Sequence, residues 1–128
     1  MDKKIAKTIL IVEDNQGIRK SLAFKLEEGF KVLEATNGKE GLDMAIAKHP
    51  DLILLDLVMP VMDGITMLRE LRKDEWGKDA KLILLTSLSD QGKVSEAVEL
   101  GAFDYLVKTD WSLEAVVKKI EEKLEIQK

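Results

Sequence analysis

The chain has 128 residues, 45% hydrophobic and 34% charged, with a net charge of −4. That describes one folded domain that buries about two-thirds of its unfolded surface, and not a disordered chain. There are no cysteines and a single histidine, which excludes disulfides, thiolate metal sites and a His-rich metal centre. The acidic balance gives no electrostatic reason to expect direct nucleic-acid binding. The N-terminus lacks a signal-peptide pattern and no apolar run approaches the ~18 residues of a membrane span, so the expected compartment is the cytoplasm.

Five apolar runs alternate with five helical patterns. The first run, Thr8–Val12, is rich in β-branched residues and ends at Glu13-Asp14. A helix over about 16–28 follows, with Ile18, Leu22 and Leu26 on one face and Gly29 at its end. Lys31–Ala35 is shorter and more polar, which predicts an edge strand. Asn37 caps a second helix over 38–48, whose inward residues are Leu42, Ala45 and Ile46.

Four aliphatics, Leu52 to Leu55, then run into Asp56. Such a run fits a strand buried on both faces, although periodicity alone leaves a buried helix segment open. Pro60 and Asp63-Gly64 break the chain soon afterwards, favouring strand then loop. A third helix turns Ile65, Leu68 and Leu71 inward. The fourth strand, 82–85, ends at Thr86-Ser87, and a helix over 91–100 turns Val94, Ala97 and Val98 inward and stops at Gly101. Tyr105–Val107 is the fifth strand, ending at Lys108. The last helix, over 113–126, carries the stripe Leu113, Val116, Val117, Ile120 and Leu124.

Alternating βα units predict a doubly wound α/β fold, (βα)₅, with a five-stranded parallel sheet between two helical layers. Strand order 2-1-3-4-5 puts the polar second strand at an edge and the aliphatic runs in the middle. The carboxyl ends of strands one, three, four and five then deliver Glu13-Asp14, Asp56, Thr86-Ser87 and Lys108 to one rim, beside the switch point where such folds bind ligands. Two carboxylates ~4 Å apart repel by about 4 kcal/mol at an effective dielectric near 20, so three acids there call for a cation. An oxygen-only donor set suits a hard divalent ion, most simply Mg²⁺. A carboxylate beside that ion, a lysine and a hydroxyl is arranged to attack a phosphoryl group.

Taken together, Leu10-Ile11-Val12-Glu13-Asp14-Asn15, Asp56 with Met59-Pro60-Val61-Met62-Asp63-Gly64, Thr86-Ser87 and Gly101-Ala102-Phe103-Asp104-Tyr105-Leu106-Val107-Lys108 resemble, from end to end, a response-regulator receiver domain of two-component signalling. The resemblance implies a CheY-like, flavodoxin-like three-layer fold over residues 1–128 (core about 8–126) without an output domain. It implies that Asp56 accepts phosphate from a histidine kinase or phosphotransfer protein. Asp14 and Asp56 would ligate Mg²⁺ directly, Glu13 through water, and the Val58 carbonyl would complete the protein ligands. Lys108 would pair with the phosphoryl group, Thr86 would move to bond it, and Tyr105 would swing inward in response. The fourth helix, fifth strand and fifth helix would form the output face, used by a downstream partner protein or by a weak dimer of an otherwise monomeric chain. The module would be no general enzyme, assisting only its own phosphorylation and dephosphorylation.

Three departures stand out. Thr109 occupies the place of a proline that usually follows the lysine in a cis bond, and a cis bond before another residue costs about 3 kcal/mol. The acid pair is Glu13-Asp14 where two aspartates are commoner. Val58 and Leu88, each two residues beyond a site residue, are apolar where many members are polar, which predicts a long-lived acyl phosphate. A Mg²⁺-dependent aspartyl-nucleophile phosphohydrolase is the runner-up, but it wants an acid where Val58 stands. A nucleotide or flavin carrier would need a phosphate-cradling loop where Glu13-Asp14 repels phosphate. The remaining alternative is a receiver-shaped interaction module that takes no phosphate.

Overall fold

The computed structural model describes residues 6–87, 91–102, 104–108 and 112–125. Parallel strands β1 (Thr8–Val12), β2 (Lys31–Ala35), β3 (Leu52–Asp56), β4 (Leu82–Thr86) and β5 (Tyr105–Val107) form one sheet in the order β2-β1-β3-β4-β5, as expected. Helices α1 (Gln16–Leu26), α2 (Gly38–Lys48), α3 (Gly64–Arg72), α4 (Gln91–Glu99) and α5 (Leu113–Leu124) connect and cover them. A 3₁₀ turn, Gly77–Asp79, precedes β4.

Every residue of β3 and β4 is buried, because helices cover both faces of the central strands. Side-chain alternation divides the core in two. Leu10, Val12, Ile53, Leu55, Leu82 and Leu84 face α2, α3 and α4. Ile9, Ile11, Leu52, Leu54, Ile83 and Leu85 face α1 and α5. Asn37, Asp63 and Ser112 cap α2, α3 and α5, each accepting a backbone N–H from three residues on.

Two helices differ from expectation in what they bury. The face of α2 turned to the core is Gly38, Gly41 and Ala45, so the helix packs close through small residues and Ile46 is left outside, 39% exposed. On α4, Ala97 is buried while Val98 is exposed. The first helix ends two residues early, at Leu26, where Phe30 N–H turns back onto the Leu26 carbonyl. At the end of α2, His49 takes a left-handed φ of 49° and stacks on Trp76, ring centroids 4.5 Å apart.

Away from the rim, Arg72 at the end of α3 is half-buried. Its Nε donates to the Leu100 carbonyl at 2.7 Å and its Nη1 to the carbonyls of Gly77 and Ala80 at 2.8 and 3.0 Å. The guanidinium thereby ties three chain ends together. No helix among the described residues is long and apolar enough to cross a membrane.

Candidate functional site

Strand register assembles the site. Val12 pairs with Leu55, so Glu13 lies one step beyond, level with Asp56. Asp56 pairs with Leu85 and Thr86 with Val107, while the Lys108 N–H donates to the Thr86 carbonyl at 2.6 Å. Four consecutive strand ends therefore converge. Glu13, Asp14 and Asp56 offer carboxylate oxygens within 4.8 Å of one another. Glu13 and Asp56 are buried and Asp14 is exposed at the mouth.

Lys108 Nζ bridges the buried pair, 3.1 Å from Asp56 Oδ1 and 3.2 Å from Glu13 Oε1. Burial and the neighbouring Glu13 push the Asp56 carboxyl up to about 7, against the opposing pull of Lys108. Burial draws the Lys108 ammonium down, but Asp56 and Glu13 outweigh it and hold Lys108 above its ordinary range. One ammonium does not satisfy both acids. Glu13 Oε2 accepts from the Asn15 N–H at 3.1 Å, whereas the buried Glu13 Oε1, in ion-pair reach of Lys108, has no well-formed hydrogen bond among the described residues. A clustered, oxygen-only set with an unsatisfied buried oxygen is what a hard divalent cation fits.

The loop after β3 is built tightly around Asp56. The Val58 N–H reaches Asp56 Oδ1 at 3.4 Å, and the Val58 side chain is 52% exposed at the rim. Val61 has a left-handed φ of 68°, uncommon for a β-branched residue, and the Met62 N–H closes onto the Pro60 carbonyl at 2.7 Å. The loop is held from both sides: the Gly38 N–H donates to the Met62 carbonyl at 2.8 Å, and the Gly64 N–H to the Leu57 carbonyl at 3.0 Å. A Cβ on Gly64 would lie 2.3 Å from the Asp56 carbonyl oxygen, so the start of α3 sits against the site only because Gly64 has no side chain.

The remaining expected residues are placed as follows. Thr86 is buried, and its hydroxyl donates to the Ser87 carbonyl at 3.2 Å. Tyr105 points outward, 47% exposed. Leu88, Thr109 and Trp111 lie outside the described residues, and with them the Lys108–Thr109 bond. Sequence reading missed Arg19 and Glu34. The buried Arg19 donates from Nη1 to the Glu13 carbonyl at 3.0 Å and from Nε to Glu34 Oε1 at 3.1 Å. An arginine one place from Ile18 on the packed side of α1, and an acid in the edge strand, were the available signals.

Comparison with known proteins agrees with this geometry. The family described as response regulator receiver domain matches residues 9–121. Over 105 residues the chain is 39% identical to the phosphate regulon transcriptional regulatory protein PhoB of Pseudomonas aeruginosa, covering 81% of this chain and 46% of that protein. It is 38% identical, again over 105 residues, to the chemotaxis protein CheY of Halobacterium salinarum, covering 81% of this chain and 86% of that one. With matches to the first relatives spanning 47% and 46% of their lengths, the chain corresponds to about half of those proteins. Its structure superposes with a TM-score of 0.85 and 28% identity on the receiver domain of sensor histidine kinase PA1611 from Pseudomonas aeruginosa, solved with a magnesium ion coordinated in the active site cleft, covering 94% of this chain and 99% of that one. By the order of its strands, its rim of acids and lysine, and this family match, the chain belongs to the response regulator receiver domains of two-component signalling.

Proposed function

We propose that this receiver accepts a phosphoryl group on Asp56. The observation that carries the reading is the buried Asp56 carboxylate, held between Glu13 and Lys108 at the carboxyl end of the central strand. The donor is a phosphohistidine on a histidine kinase or phosphotransfer protein. An Asp56 oxygen attacks phosphorus, the new O–P bond forms, the N–P bond breaks, and the imidazole leaves to take up a proton. Lys108 lies where it pairs with the developing negative charge on the phosphoryl oxygens.

Glu13, Asp14 and Asp56, with the Val58 carbonyl, are the groups that would hold Mg²⁺. When bound, the ion supplies the positive charge that lets an anionic donor approach three acids. Thr86 and Tyr105 then act as the switch: the Thr86 hydroxyl, now on the Ser87 carbonyl, turns to the phosphoryl group and vacates space for the outward Tyr105. The altered α4-β5-α5 face is where a downstream partner protein, or a second copy of the chain, would dock. The exposed apolar Val58 side chain offers no hydrogen bond to an attacking water, which supports a long-lived acyl phosphate.

Incubation with Mg²⁺ and acetyl phosphate tests the reading by intact mass. A single added phosphoryl group, absent in Asp56→Ala, is expected. Repeated turnover of a small phosphoester without a durable adduct would favour the phosphohydrolase and overturn it.

A further inference from the structure

The acid pair is held by a side chain that touches no reacting atom. Glu13 has both backbone polar groups fixed: its N–H donates to the Ala35 carbonyl of β2 at 3.1 Å, and its carbonyl accepts from Arg19 Nη1 at 3.0 Å. Arg19 is only 8% exposed. Its Nε is bound at 3.1 Å by Glu34 of β2, whose Oε1 also lies 3.1 Å from Lys20 Nζ. Packing on α1 does not call for a guanidinium, since a buried charge costs free energy unless it is paired and hydrogen-bonded. An arginine is suited here because its rigid fork reaches two acceptors at once.

The carbonyl that Arg19 grips belongs to the peptide between Glu13 and Asp14. That planar unit sets how the two neighbouring side chains diverge, one buried against Lys108 and one exposed at the mouth. We propose that Arg19 is a positioning residue for the Glu13-Asp14 pair, oriented by Glu34, so that the edge strand β2 sets the affinity of the site for a divalent cation. The inference rests on the reading of the rim as a cation-dependent phosphoacceptor. It resembles the way outer groups orient metal ligands elsewhere, where their loss costs about 10–100-fold in affinity.

Calorimetric titration of the full 128-residue chain with MgCl₂ tests it, beside thermal unfolding of each variant in EDTA. Arg19→Lys keeps the charge and loses the fork, and is expected to weaken Mg²⁺ binding by about 10-fold. Glu34→Gln keeps an acceptor without the charge and should weaken it by about threefold. The double variant should be little worse than Arg19→Lys, because both act through one clamp. The deficit of Arg19→Lys in phosphorylation by acetyl phosphate should close as Mg²⁺ is raised. Lower melting temperatures in EDTA with Mg²⁺ affinity unmoved would mean a merely structural role and overturn the proposal. Should Arg19→Lys fail to fold, Glu34→Gln decides by the same criterion. An unaltered chain that binds no Mg²⁺ would overturn both this inference and the functional reading, whereas an unaltered chain that binds beside variants that bind equally would sink this inference alone.

Discussion

Two regions of this molecule draw charge at least partly out of water, and they do so in opposite ways: Arg72 is half-buried, Glu13 and Asp56 fully buried. Arg72 gives its Nε and Nη1 protons to three backbone carbonyls, of Leu100, Gly77 and Ala80, and stays a staple between α3, α4 and the entry to β4. At the rim, Glu13 and Asp56 share one lysine, and Glu13 Oε1, 3.2 Å from that ammonium, has no well-formed hydrogen bond among the described residues. A buried charge met by enough acceptors stabilises the chain at that point. A buried charge left short of partners raises the free energy of the folded chain and holds that energy ready for a ligand that supplies what is missing.

The largest expected effect breaks the satisfied region. Arg72→Met leaves three carbonyls without their donor and should cost about 3 kcal/mol in urea unfolding, alike at pH 5 and pH 8 and unaltered by Mg²⁺. Lys108→Met removes the cation facing both acids and should cost about 2 kcal/mol at pH 8, a loss that shrinks at pH 5 or with added Mg²⁺. Equal pH dependence in the two variants would mean that the two regions hold their charge in the same way.

Asp56→Asn sharpens the contrast in the other direction. The folded carboxyl sits near 7 against an ordinary 3.8, with burial as the larger cause and Glu13 next. Between about pH 4 and 7 the folded metal-free chain therefore holds a proton that the unfolded chain has lost, and this group's contribution to stability falls as pH rises through that window. The neutral variant should gain on the parent by about 2–3 kcal/mol from pH 5 to pH 8 in EDTA, and lose that advantage in Mg²⁺. A constant difference across pH would show that the rim is not electrostatically frustrated. The smallest effect is kinetic. Val58→Asn should speed loss of the phosphoryl group by about threefold, corresponding to about 0.7 kcal/mol, read as the decay of the phosphorylated mass.

Most of the rim was legible because strand ends in a doubly wound sheet are ordered by topology. Once the apolar runs are placed in the order 2-1-3-4-5, Glu13, Asp56, Thr86 and Lys108 fall side by side without knowledge of a single contact. Asn37 as a cap was legible for a similar reason, since its side chain serves an amide three residues away. Ile46 and Val98 were misplaced because a helical stripe shows which residues share a face, but not where the face is pressed closest. On α2 the close approach runs along Gly38, Gly41 and Ala45. Arg19 and Glu34 were missed because they are far apart in sequence and each, alone, reads as a surface charge.

Sequence by itself determined the alternation of elements, the buried central strands and which chemical groups reach the rim, because period, turn residues and strand ends are local properties of the chain. The tertiary structure alone decided how those groups share charge: that Lys108 serves two acids, that Glu13 Oε1 lacks a well-formed hydrogen bond among the described residues, and that Arg19 holds the Glu13 carbonyl. Those outcomes depend on burial and on angles between groups brought together from different strands and helices, and both exist only once the layers have packed.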